Sequence, residues 1–310
     1  MRRRTDAYSG ARDIESEDMR ELRIIDHMEQ LSGKNPEGVV EGIGDDAAVI
    51  DPGGKEYLLW AQDMIADGTH FRAGRDAYAS IGRKAVAVNI SDIAAMGGIP
   101  RYISVSLGIP SGTGSRAVKA ICGGITDTCA EHGMKVLGGD TVRCSRLVID
   151  ISIIGSVAKN GLRRRSGASA GEAVIITGPV RNGRKRHLDP RPRLEESIFL
   201  SGRKVTSMID VSDGIGPDLI RVCRASGTGC RLYTENIPLE KGLSLEDALY
   251  YGESFELMFT MNKKDADEIV RNKAPYGFYL IGEMTDSVNR YEMTRNGTVS
   301  GNLEFRGFEH

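Results

Sequence analysis

Seven aspartates stand where a carboxylate is either costly or unexpectedly placed. Asp45 and Asp46 sit side by side in VVEGIGDDAAVID, residues 39–51, a run otherwise fit for a buried strand. Like charges about 4 Å apart at an effective dielectric near 20 repel by roughly 4 kcal/mol, and burial adds a desolvation cost. Asp63 follows a strand-like run in LLWAQDMIADGTHF, and Asp92 lies mid-helix among alanines and isoleucines in AVNISDIAAMGG. Asp140 ends a strand in KVLGGDTVR, and Asp210 and Asp213 frame a strand-to-helix junction in IDVSDGIGPDL. Taken singly, Asp213 also fits a helix N-cap and Asp140 a turn. Taken together, carboxylates that converge demand cations, and hard oxygen ligands select Mg²⁺ or a similar divalent ion. A magnesium held by a few carboxylates, with phosphate and water in its other positions, is an arrangement suited to ATP.

Other chemistries are poorly supported. GPVRNGRK, residues 178–185, follows a strand and approaches a Walker loop, but Arg184 replaces the lysine and no Ser/Thr follows. Gly214-Ile-Gly216 is only half a dinucleotide fingerprint, and no HExxH zinc motif occurs. The five cysteines form no CxxC pair, which fits reduced thiols in a cytoplasm. A net charge of −2 argues against a general nucleic-acid surface. No apolar run approaches the ~20 residues of a membrane helix, and the basic start MRRRTDAYSGARDIESED lacks a following hydrophobic region, so it reads as a mobile arm.

These residues need two α/β layers to hold them. Length predicts two domains, 1–160 and 161–310, divided at the polar connector Gly161–Gly167. In the first half the patterning predicts a helix over 16–32 and strands Val39–Ile50 and Tyr57–Ala61. A helix over 78–96, a strand Tyr102–Leu107, a helix Gly114–Gly133, a strand Met134–Leu137 and a strand Leu147–Val157 follow. In the second half it predicts strands Ala173–Thr177, Val205–Val211, near Arg231, Phe255–Met261 and Phe278–Gly282, and a helix from Asp213 to Ala225.

GIGDDAAVI, the Asp63–Phe71 segment, KAVAVNISDIAAMGG, LGGDTVR, RSGASAGE, DVSDG and GESFEL occur in an order that resembles a known superfamily. It is the ATP-binding group of aminoimidazole ribonucleotide synthetase, selenophosphate synthetase and thiamine-monophosphate kinase. The GIGDDAA opening, the NxSDxAAMGG helix and the RGFEH ending are most similar to the thiamine-monophosphate kinase family. The resemblance implies a two-domain α/β and α+β fold, with an N-terminal domain whose sheet joins a partner's in a homodimer. It implies magnesium-dependent transfer of the γ-phosphoryl group of ATP to thiamine monophosphate. Carried over by motif, Asp45, Asp63, Asp92, Asp140, Asp210 and Asp213 would ligate magnesium, with Asp45 the direct ligand of its pair and Asp46 its support. Gly139, Asp140, Ser212 and Arg165 would meet the nucleotide; Asp213, Asp92 and Arg165 would carry catalysis. His70, the Ser254 position and Phe308 would lie by the thiamine substrate, although His70 also fits a structural histidine and Phe308 a packing role.

Three features depart from that family's pattern. Ala61-Gln62 precede Asp63 in place of hydroxyl residues, Ser254 replaces an acid, and the short basic loop 178–193 replaces a glycine- and alanine-rich segment. All three bear on the acceptor side more than on the ATP–metal side. The alternatives are a divergent enzyme that uses ATP to activate another small substrate, and a catalytically silent nucleotide-binding member.

Overall fold

In the computed structural model, residues 21–271 and 276–306 are described; the basic N-terminal arm and Phe308 lie outside them. The first half comprises α1 (Glu21–Ser32), β1 (Val39–Glu41), β2 (Ala48–Ile50), β3 (Glu56–Ala66), α2 (Tyr78–Ala95), β4 (Ile99–Pro110), α3 (Ser115–Glu131), β5 (Lys135–Cys144) and β6 (Val148–Ala158). Its strands form one sheet in the order β1-β2-β3-β6-β4-β5, antiparallel except for the β4–β5 pair.

The second half runs β7 (Ala173–Thr177), α4 (Gly183–Arg186), α5 (Leu194–Leu200), β8 (Ser207–Asp210), α6 (Ile215–Ser226), β9 (Gly229–Tyr233), α7 (Leu245–Tyr250), β10 (Leu257–Met261), α8 (Lys263–Arg271), β11 (Phe278–Thr285), β12 (Tyr291–Arg295) and β13 (Thr298–Asn302). A second sheet has the order β13-β12-β9-β11-β7-β10-β8, with β9–β12 its one parallel pair.

The strands of the first sheet alternate. Leu59, Ala61 and Ile65 of β3 enter the core, while Leu58, Trp60 and Met64 stay exposed on the other face. The core face is covered by α2, which is buried along nearly its whole length, the polar residues Lys84, Asn89 and Ser91 included. Its C-terminal residue Ala95 packs with β7, β8 and β10 of the second sheet, and Ala94 O accepts a 2.6 Å hydrogen bond from Ser197 Oγ of α5. Asp92 therefore stands on the element that joins the two halves.

Most predicted elements occur, with two instructive differences. Val39–Ile50 is not one strand: β1 and β2 are separate, and Gly44 (φ 127°) turns the chain between them, a conformation that a side chain would oppose. The Asp45–Asp46 pair thus lies on a bend. β5 continues to Cys144, well past the predicted end at Leu137.

Close approach of α2 and α3 fixes the helix that bears Asp92. A Cβ at Gly82 would lie 2.2 Å from Ile121 O, and one at Gly124 would lie 2.0 Å from Ala79 O. Gly124→Val should therefore force the helices apart and lower Tm by roughly 5–10 °C, about 2–3 kcal/mol. Gly123→Val, one residue away with nothing within 4 Å, should change the calorimetric Tm by no more than a couple of degrees, about 0.5 kcal/mol. Equal losses in the two variants would contradict the close-packing account.

Candidate active site at the seam of the two sheets

Asp46, Asp92 and Asp210 converge, with one carboxylate oxygen from each within 4.8 Å of the others. They come from the β1–β2 bend, the last turn of α2 and the end of β8, so both halves build the cluster. Ser91 Oγ donates a 2.6 Å hydrogen bond to Asp210 Oδ2. Asn89, one turn earlier on α2, accepts from the Asp63 N–H at 3.1 Å and donates to Ala85 O at 2.9 Å. These bonds lock β3 and β8 onto α2.

Arg165 holds the acidic bend. Its Nη2 and Nε donate to Asp46 Oδ1 at 2.6 and 3.2 Å, its Nη1 to Gly44 O at 3.4 Å, and its backbone N–H to the Asp45 carboxylate at 3.1 and 3.3 Å. Asp46 Oδ2 is buried and has no hydrogen-bond partner among the described residues. A buried carboxylate oxygen left in this state is costly, and it belongs to a residue of the aspartate cluster.

The electrostatics follow from crowding. Burial first, then repulsion from Asp63, Asp210 and Asp46, raises the Asp92 carboxyl well above its ordinary value. Burial and the Asp46 charge do the same to Asp210, and burial raises Asp46 against the pull of Arg165. Asp45 is pushed up to about 7 by burial and by Asp46.

The expected site residues are spread unevenly about this cluster. Asp46, and not Asp45, joins the cluster, because the bend directs Asp45 to the Arg165 backbone. Arg165, expected on a phosphate, has its guanidinium on Asp46. Asp63 lies outside the tight cluster, although its charge reaches Asp92. Asp213 pairs with Arg221 at 2.5 Å, and the Ser212 carbonyl accepts from the Glu253 N–H at 2.7 Å.

Asp140 is placed away from the cluster by strand alternation. It is in register with Ser106, which is in register with Asp150, itself opposite Met64. Residues so aligned share a face, and this is the exposed one; Asp63, in register with Ile151, faces the core side. Gly139 sits on β5 at φ 156°, where an added Cβ would meet Val105 O at 1.7 Å. Ser254 is buried, and its hydroxyl donates to Val211 O at 3.1 Å. His70 Nδ1 accepts from the Ala66 N–H at 3.1 Å, which puts the ring proton on Nε2.

Sequence reasoning missed four supporting residues. Lys84 is fully buried on α2, donating to His70 O at 3.0 Å and pairing with Glu253, which itself has φ 54°. Asp218 is fully buried, accepts from the N–H groups of Asp213 and Gly214 at 3.1 and 3.2 Å, and pairs with Arg221. A lysine in the interior of an otherwise apolar helix was the available signal for the first pair; nothing local marks the second.

A family model described as AIR synthase related protein, N-terminal domain, matches residues 44–157, and its C-terminal counterpart matches residues 167–292. The chain belongs to this AIR synthase related family. Within it, the chain belongs with the thiamine-monophosphate kinases. The thiamine-monophosphate kinase of Rhodopirellula baltica is 36% identical, over 74% of this chain and 78% of that protein. That of Bacillus subtilis is 29% identical, over 87% and 93%. Among solved structures, AaThiL complexed with AMPPCP and TMP superposes with a TM-score of 0.80 at 24% identity, covering 94% of this chain and 97% of that one, which shows the shared fold.

A folded state that holds carboxylates with raised pKa values binds more protons than the unfolded chain between about pH 4 and pH 7. Stability of the metal-free protein should therefore fall as pH rises through that window, from the Asp45, Asp92 and Asp210 directions above. Differential scanning fluorimetry should show a lower metal-free Tm at pH 7.5 than at pH 5.5, and a larger Tm gain on adding MgCl₂ at pH 7.5. Asp92→Asn should flatten both responses. A metal-free Tm that rose across the same window would contradict the crowding described here.

Proposed function

We propose that this chain transfers the γ-phosphoryl group of ATP to the phosphate of thiamine monophosphate, giving thiamine diphosphate, with magnesium required. The single observation that carries the proposal is the Asp46–Asp92–Asp210 cluster with its unpartnered buried oxygen, in a chain whose relatives are thiamine-monophosphate kinases. The residues fit a divalent ion: the donors are hard carboxylate oxygens, and Asp46 Oδ2 lacks any other partner among the described residues. When bound, magnesium would supply positive charge that offsets the negative charge of the phosphate groups.

The chain's own residues do the positioning. Asp46, Asp92 and Asp210 hold the ion, Arg165 fixes the orientation of Asp46, and Ser91 fixes that of Asp210. Asp63 and Asp45 supply further charge nearby. From the family resemblance we assign Gly139, Asp140, Ser212 and Asp213 to the nucleotide side, and His70 and Phe308 to the thiamine side. The attacking phosphate oxygen is already ionised at neutral pH, so no general base is needed and His70 serves by binding alone. We also propose a division of the chain near residue 160 and a cytoplasmic location, which suits its five free cysteines.

The sheet face opposite α2 supports a homodimer. Leu58, Trp60, Met64, Tyr102, Val142 and Ile154 are exposed on it, among polar residues such as Gln62 and Ser152, and so much exposed apolar surface marks an association surface. Asp140 lies on the same face, within reach of a second copy seated there.

A coupled assay with ATP, Mg²⁺ and thiamine monophosphate should yield thiamine diphosphate, and Asp92→Asn should lower kcat by on the order of 10²–10³-fold while the protein stays folded. Near-normal turnover in that variant would remove the metal-site reading; no product under ATP-binding conditions would remove the acceptor. Sedimentation equilibrium should return twice the chain mass for the wild type and a monomer for Trp60→Glu.

A further inference from the structure

Residues 178–193 carry six basic side chains against one aspartate, in a chain of net charge −2. This segment walls a cavity of about 310 Å³ lined by Pro179, Arg181, Arg186, Arg191, Arg193 and Glu240. Guanidinium groups that face one cavity repel one another unless acceptor groups pair with them. Carboxylates and carbonyls do so here. Arg181 donates to Asp189 O and Oδ2 at 2.5 and 2.7 Å. Arg193 donates to Glu256 at 2.7 and 2.5 Å and to Glu196 at 3.1 Å. Arg186 donates to Glu240 Oε1 at 2.6 Å, whereas Arg191, 65% exposed, makes a 3.7 Å ion pair with Asp189. Each guanidinium offers five N–H groups, so donors remain after these bonds are counted.

The wall is also rigid. Val180 N–H donates to Pro238 O at 2.7 Å, Glu240 N–H returns to Val180 O at 3.0 Å, and Asn182 N–H donates to Glu240 Oε2 at 2.9 Å. Pro190 and Pro192 flank Arg191, which confines its backbone to extended conformations. Prepaid ordering of this kind lowers the cost of binding.

The cavity adjoins the aspartate cluster without sharing residues with it. Glu256, which anchors Arg193, directly precedes β10, and Leu257 of β10 is in register with Asp210 of β8. Thr177 at the end of β7 donates to Glu256 at 2.7 Å, so the cavity's base and Asp210 lie at the same end of the sheet. β7 and β8 are two strand spacings apart there, roughly 10 Å. Gly183 of the basic segment packs against Gly252 O, and Gly252 against Ser212 O.

We infer that this arginine-lined cavity is a binding subsite for the phosphate group of an organic phosphate, separate from the carboxylate cluster. Planar forked donors in this arrangement match phosphate oxygens bidentately, and Glu240 faces any cationic or hydrogen-donating remainder of the ligand. The phosphate has two possible sources, the acceptor or an independent phosphate compound. The acceptor source rests on the kinase reading; the binding itself does not.

Calorimetric titration of the full chain with inorganic phosphate and pyrophosphate, without metal or ATP, tests the inference, since the metal-free aspartates repel anions. Wild type should bind saturably, Arg191→Glu and Arg181→Gln should weaken binding tenfold or more, and Asp92→Asn should bind within twofold of wild type. No saturable binding at tens of millimolar, or equal binding in Arg191→Glu, would overturn it. Because Arg191 is exposed, that variant decides the matter even where Arg181→Gln fails to fold. Steady-state kinetics then separates the sources. Competition between phosphate and thiamine monophosphate, with a tenfold higher KM in Arg191→Glu, assigns the cavity to the acceptor, and non-competitive behaviour assigns it to an independent phosphate compound. Binding without kinase activity would remove only the proposed function, and activity without binding would remove only this inference.

Discussion

Three carboxylates drawn within 4.8 Å of one another at a buried seam set the terms for the surrounding structure. Each gains nothing from the fold in its charged state except what neighbours provide, and desolvation works against all three. Arg165 supplies one fixed positive charge to the bend, and the Ser91 hydroxyl supplies a hydrogen bond to Asp210. That leaves two or more negative charges to one guanidinium. That imbalance is what a bound cation would offset, and the Asp46 oxygen without a partner among the described residues is its local expression.

Holding such a cluster requires that the elements bearing it cannot separate. α2 is pinned on one side by glycine-mediated contact with α3, on another by Asn89 to β3, and on a third by Ser197 of α5. Lys84 and Glu253 add a buried ion pair between the same helix and the loop beside Ser212 and Asp213. Breaking such a pair leaves a charge uncompensated in the interior, costing roughly 3–5 kcal/mol. The pair therefore resists any motion that would open the seam between helix and loop.

How much of this was legible in the sequence varied with the range of the interaction involved. Asp92 was readable because a carboxylate in a helix of alanines and isoleucines has no local justification, and Asp210 because it ends an apolar strand. The order within the Asp45–Asp46 pair was not readable. It depends on the turn at Gly44 and on Arg165, some 120 residues away. The face that Asp140 takes was hidden for a different reason: its motif fixes its strand position, but only the register with Ser106 and Asp150 decides its face. Ser254 likewise kept its motif while its hydroxyl turned to Val211 O. The two-sheet architecture was accessible from the order of elements, whereas the bend that splits β1 from β2 was hidden by an apolar composition suited to one strand.

The departures from the family pattern share a direction. Replacing an acid by Ser254 removes negative charge beside the loop that follows Asp213, and residues 178–193 add five net positive charges on the other side of Gly252. Neither change reaches Asp46, Asp92 or Asp210 directly. The two places favour opposite ligand charges, the carboxylates a cation and the guanidinium groups an anion. The basic segment 178–193 can thus vary with the molecule held there without displacing Asp46, Asp92 or Asp210.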